Sequence, residues 1–112
     1  MEDASNYLKD YESFWPFYLR EHSKPLTRTF HYIGTTCAVA LLAWISLFGS
    51  WLSVWLVLLA GYGPAWYSHY FIEKNRPATF KAPLWSLYSD FRMYFYFLTG
   101  RIDGELRKYK IE

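Results

Sequence analysis

A chain of 112 residues carrying a net charge of +2 is one domain, and so even a balance excludes the broad basic field of a nucleic-acid-binding protein. Aromatic residues make up 23% of it, a large flat apolar surface that has to be placed somewhere. Cys37 is its single cysteine, so no internal disulfide forms, and its apolar surroundings make it a small hydrophobe.

The N-terminal stretch MEDASNYLKDYE is acidic and lacks the apolar segment of a cleavable signal peptide. Tyr7, Tyr11, Phe14, Tyr18 and His22 then recur at spacings of four, three, four and four, one face of a helix over about residues 5–22. Pro16 deletes a backbone donor and is expected to kink or restart that helix. The segment is too charged to cross a bilayer, so it is expected at the interface, with its aromatic stripe on the membrane surface. Pro25 disfavours helical geometry at Lys24, which predicts a turn at Ser23-Lys24-Pro25.

From Tyr32 to Ile72, 41 residues, there is no Asp, Glu, Lys or Arg. One membrane span needs about 20 apolar residues, so the run is long enough for two. Phe48-Gly49-Ser50-Trp51 supplies a turn in its middle, giving spans at about 32–48 and 51–71. A soluble helical bundle would need polar faces, and AVALLAWISLF (38–48) and WLSVWLVLLA (51–60) offer almost none. The mean hydropathy of −0.08 is near zero because polar ends dilute the run. Arg20, Lys24 and Arg28 precede the spans, Lys74, Arg76 and Lys81 follow them, and the hairpin turn has no basic residue. The positive-inside rule then places both termini in the cytosol.

After the second span, EKNRPATFKAP is a loop with two prolines. Pro83 opens an amphipathic helix over about 83–99, with a stripe of Leu84, Leu87, Tyr88, Phe91, Phe95 and Leu98 flanked by Asp90 and Arg92, and Gly100 ends it. The tail, 100–112, is polar and reads as an exposed, partly helical extension.

The polar residues converge. In an antiparallel hairpin the start of one helix lies beside the end of the other, so His31 and His69 fall at similar depth. His31, Gly34, Thr35 and Ala38 share one helical side, and Gly61, Ala65, His69 and Glu73 share another at i, i+4 spacing. Small residues mark close approach of membrane helices, so both histidines face the partner helix. His22 is nine residues before His31, on the opposite side of any continuous helix, but the turn at Pro25 can swing it back. The set His22, His31, His69 and Glu73 suits a non-haem iron(II) centre with open positions and equally a zinc site. The competing reading is a group of interfacial histidines bonded to headgroups and backbone. Arg28 can pair with a substrate carboxylate through its guanidinium fork, or with a headgroup phosphate.

Phe17-Tyr18 through His22, Pro25, Arg28, His31 and Gly34, then Gly63, His69, Glu73, Lys74, Arg76, Pro77 and Ala78, resemble the phytosphingosine-metabolism family of membrane 2-hydroxy fatty-acid dioxygenases. The likeness runs from about residue 14 to 101, and the His-x-x-x-Glu-Lys-x-x-Pro-Ala core is its most specific part. The chain departs from longer members in its minimal hairpin, in Lys24, where asparagine is common, and in Arg28, where they place asparagine nearby. The resemblance implies iron(II)-dependent α-oxidation of a 2-hydroxy fatty acid with O₂, shortening the acyl chain by one carbon. It carries the family's histidines onto His22, His31 and His69 and leaves Glu73 as a direct ligand or as a partner orienting His69.

The expectation is therefore an all-α, two-span transmembrane hairpin with flanking amphipathic interfacial helices. It would sit in a bacterial inner membrane or the endoplasmic reticulum, with Fe(II), O₂ and a fatty-acid or lipid substrate. A homodimer fits so small a core. The alternative is a non-catalytic membrane module that binds lipid or a partner protein.

Overall fold

A computed structural model describes residues 8–111, so Tyr7 and the predicted helix start at residue 5 lie outside the described residues. The described residues are helical, with no strand among them. Helix α1 (Tyr11–Arg20) starts at Asp10, whose carboxylate accepts the Ser13 N–H at 2.9 Å. It runs through Pro16 without a break. Lys24 is extended (φ −81°, ψ 132°) as the residue before a proline should be, and α2 (Pro25–Phe48) begins on the proline itself. The helix thus starts earlier than the predicted residue 32 and carries Arg28 and His31 on its first turns. It ends at Gly49. The Ser50 hydroxyl then accepts the Leu52 N–H at 3.2 Å, starting a 3-10 turn, Trp51–Ser53.

The returning helix, α3 (Trp55–Ser68), packs along α2. The two backbones touch: a Cβ built on Gly34 would stand 2.7 Å from the Gly61 carbonyl oxygen. Only a glycine permits that approach. Below α3 the chain widens into a π-helical turn, His69–Glu73, closed by Lys74 in the left-handed region (φ 65°). The predicted second span is therefore divided into a 3-10 turn, a 14-residue α-helix and a π turn. Among the described residues α2 is the one helix long and apolar enough to cross a membrane, and only 22% of its most apolar 18-residue window is buried.

A 3-10 turn (Ala78–Phe80) leads to α4 (Pro83–Leu98), and α5 (Ile102–Lys108) closes the chain. Phe14, Trp15, Tyr18 and Leu19 of α1 form the core with Ala78, Met93, Ile102 and Leu106. This corrects two expectations. The stripe of α1 does not lie on a membrane surface: Phe14 and Tyr18 are fully buried inside the protein. The tail is not an exposed extension either. Ile102 and Leu106 plug the core, and Glu105 accepts the Trp15 indole N–H at 2.9 Å. Arg92 lies over the Trp15 ring at 4.1 Å, a cation–π contact that covers the same ring.

The stripe of α4 points outward. Leu84, Leu87, Tyr88, Phe91, Phe95 and Leu98 are all exposed, while Ser86, Ser89 and Met93 face the interior. With Leu47, Phe48 and Leu52 at the hairpin tip also exposed, the protein presents many large apolar side chains outward, the mark of a lipid or protein contact.

Two expectations test this packing. Gly34→Ala should destabilise the fold by about 1–3 kcal/mol by prising the helices apart. Gly61→Ala should be near neutral, because its Cβ meets Ala38 Cβ at an ordinary 3.5 Å. Thermal melting of both in one detergent checks this, and equal losses would refute the close approach. Leu106→Ala, which empties a core position, should cost about 2–5 kcal/mol in the same assay; a neutral result would mean α5 does not dock.

Candidate metal centre

His22 leaves the end of α1, His31 projects from the second turn of α2, and His69 opens the π turn below α3. All three are buried, at 1%, 6% and 2% exposure. The turn makes the meeting possible: α1 has already ended at Arg20, Lys24 is held extended by the proline after it, and α2 starts afresh on Pro25, so the chain reverses between His22 and His31. His22 Nε2 then stands 2.9 Å from His31 Nε2 and 3.1 Å from His69 Nε2. The three imidazoles meet edge to face, with centroids 4.3, 4.5 and 5.0 Å apart.

The other nitrogen of each ring is spoken for by an acceptor. His22 Nδ1–H donates to the Tyr18 carbonyl at 2.7 Å, His31 Nδ1–H to the Thr27 carbonyl at 3.0 Å, and His69 Nδ1–H to Asn75 Oδ1 at 2.7 Å. An imidazole protonated on Nδ1 and neutral overall has a bare lone pair on Nε2. Burial enforces neutrality at His22, pushing its pKa well below the ordinary imidazole value, and the neighbouring His31 and His69 act in the same direction. Three lone pairs thus face one another with no proton between them. That arrangement repels unless a cation sits among them. Ligand bonds of about 2.1 Å at right angles put donor atoms about 3 Å apart, close to the spacings seen here. The three donor atoms lie within 4.8 Å of one another, and the set fits a metal ion.

Glu73 is placed elsewhere. Its carboxylate accepts the Lys24 backbone N–H at 2.8 Å, the Thr27 hydroxyl at 2.9 Å and the Ser23 hydroxyl at 3.1 Å. It caps the N-terminus of α2, where Lys24 has no side-chain cap of its own. A regular α-helix would stack Glu73 on His69; the wider π turn rotates it away from the imidazoles. Arg28 is buried, and its guanidinium donates to the carbonyls of His22 at 2.8 Å and Ser23 at 2.9 Å, holding the turn closed.

Sequence reasoning passed over three residues. Asn75 fixes the tautomer of His69 and also donates to the Glu21 carbonyl at 3.1 Å; its place inside the EKNRPA stretch was the available signal. Tyr18 stands in the sequence as an aromatic of the stripe and as part of the family resemblance, with no role of its own. Its ring stacks on His22 at 4.1 Å, its carbonyl accepts from that histidine, and its hydroxyl donates to Asp90. Asp90 was read as a flank of an apolar stripe. It instead lines a small cavity with the three histidines, Tyr62 and Trp66, and also a larger apolar cavity beside it.

No curated protein and no solved structure matches the chain. One family model, described as 2-hydroxy-palmitic acid dioxygenase Mpo1-like, matches residues 8–102. That match takes in all three histidines, the turn that brings them together and the asparagine and tyrosine that orient them, and the chain belongs to this Mpo1-like family.

Proposed function

We propose that the protein is an iron(II)-dependent dioxygenase that acts on a 2-hydroxy fatty acid at a membrane and shortens it by one carbon. The observation that carries this reading is the meeting of three Nε2 lone pairs at 2.9 and 3.1 Å, each ring locked through its Nδ1–H. The family description supplies the substrate class. Held by His22, His31 and His69, iron(II) would supply open positions for O₂ and for the carboxylate and hydroxyl of a 2-hydroxy acid.

The chain's own residues account for the rest. Tyr18, Thr27 and Asn75 hold the rings in the ligating tautomer, as partners of metal-bound histidines do. Burial of the histidines limits water at the reacting end of the substrate. Glu73 acts as a positioning residue by tying the end of the α3 arm to the start of α2. The apolar outer faces of α2 and α4 support a membrane location. In this reading the α2–α3 hairpin enters the bilayer from the cytosolic side, both termini stay in the cytosol, and α4 lies along the interface with its stripe in lipid.

Protein purified without air should hold one Fe(II) per chain by metal analysis. With O₂ and 2-hydroxypalmitate it should form pentadecanoate, detected by mass spectrometry. His22→Ala, His31→Ala and His69→Ala should each lose the metal and at least a hundredfold of the activity. A metal-free protein whose His69→Ala variant behaves like the parent would sink the enzyme and leave the non-catalytic lipid-binding module. Asn75→Ala should weaken metal affinity about 10–100-fold, whereas Glu73→Gln should keep the metal stoichiometry and lose thermal stability. Loss of metal in Glu73→Gln with full stability would make Glu73 a ligand after all.

A further inference from the structure

A cavity of about 210 Å³ opens between α2, α3 and α4. Thr35 and Ala38 line it from α2, Val57, Leu58 and Gly61 from α3, and Leu87 and Phe91 from α4. Its wall is almost wholly apolar. The small cavity that holds the three histidines shares four lining residues with it: His31, Tyr62, Ala65 and Asp90. The two cavities are therefore neighbours, one polar and one apolar, with a single carboxyl group at their junction.

Asp90 is held there by Tyr18, whose hydroxyl donates to Asp90 Oδ1. The other oxygen, Oδ2, accepts no hydrogen bond from a described residue. Asp90 is half-buried and lines both cavities, so its carboxyl is open to a ligand placed in either. The same Tyr18 stacks on His22 and bonds it through its carbonyl, so Asp90 is fixed relative to the histidine cluster by one rigid side chain.

We propose that these two cavities form one binding site for a single-chain 2-hydroxy acyl lipid, with its tail in the α2–α3–α4 cavity and its 2-hydroxyl on Asp90 Oδ2. The choice of a 2-hydroxy acid rests on the function proposed above. Asp90 is then the specificity residue that separates a 2-hydroxy acid from the unsubstituted acid, which would leave its oxygen unpaired. From His31 to Ala38 the groove runs about 10 Å along α2, the length of roughly eight methylenes. The proximal half of a palmitoyl chain fits inside, and the rest emerges between the helices.

The test is binding without turnover. The Zn(II)-loaded protein in lipid nanodiscs is titrated by displacement of a dansylated fatty acid with 2-hydroxypalmitate, palmitate and 2-hydroxyoctanoate. The parent should prefer 2-hydroxypalmitate to palmitate about tenfold or more. Asp90→Ala should lower that ratio several-fold while zinc stoichiometry stays the same, the remaining preference being that of the metal for the hydroxyl. Asp90→Asn, which keeps an acceptor oxygen and the shape, should retain part of the preference and stands in if the alanine variant does not fold. Ala38→Leu and Val57→Phe, on opposite walls, should each weaken 2-hydroxypalmitate several-fold more than 2-hydroxyoctanoate. An unchanged hydroxyl preference in both Asp90 variants overturns the role of Asp90. Unchanged chain-length dependence in both wall variants overturns the groove. Since neither readout needs iron or O₂, a protein that binds as described but forms no shortened product refutes the dioxygenase reading alone.

Discussion

The Nε2 lone pair of His22 stands 2.9 Å from that of His31 and 3.1 Å from that of His69, and neutral nitrogens so close repel one another where no cation lies between them. The rest of the molecule answers to that constraint. Each ring is turned by an acceptor on its far nitrogen, supplied by two local devices. Tyr18 is one helical turn before His22, and Thr27 one turn before His31, so α1 and α2 supply their carbonyls by regular geometry. The carbonyl one turn before His69, that of Ala65, instead accepts the Ser68 hydroxyl at 2.6 Å and the His69 backbone N–H. The partner of the His69 ring is the side chain of Asn75, delivered by the left-handed Lys74 and the return of the chain, with the Asn75 N–H bonded to the His69 carbonyl at 2.9 Å.

The π turn is the less expected part of that arrangement. By adding a residue to the last turn below α3 it separates His69 from Glu73, which a regular helix would hold together. The histidine stays inward and the carboxylate moves to the open N-terminus of α2. There it satisfies a backbone N–H and two hydroxyls, the role Lys24 cannot fill. The result is a polar clamp between the two ends of the hairpin, reinforced by Lys24 Nζ donating to the Ile72 carbonyl at 2.9 Å. A π turn beside a functional site is a recurrent association, and here its physical effect is to divide two polar side chains between two tasks.

The distribution of apolar surface is divided in the same spirit. At the histidine end α1, α4 and α5 build an aromatic core that behaves like the interior of a soluble domain. At the other end α2 and α3 pack on each other through Gly34 and Gly61 and leave Leu47, Phe48 and Leu52 outside. The inner face of α4 carries Ser86, Ser89 and Met93 and its outer face the large apolar stripe, so this helix joins the core without covering that stripe. An amphipathic pattern fixes which residues share a face, but not which face meets the protein, because lipid and protein interior both accept leucine.

The sequence by itself determined the helical class, the uncharged run, the turns at Pro25 and Gly49, and the convergence of His22, His31 and His69. Those follow from periodicity, from proline chemistry and from the geometry of a hairpin, all of them local or nearly so. The tertiary structure alone decided that the α1 stripe and the tail residues Ile102 and Leu106 would be buried together, since their partners lie some ninety residues apart in the chain, as Trp15 and Glu105 do. It also decided the fate of Glu73, because a π turn leaves no mark in residue spacing and the vacant N-terminus of α2 exists only once the hairpin has closed. Asp90 belongs with these: its place beside the histidines depends on how α4 packs, which no pattern within α4 encodes.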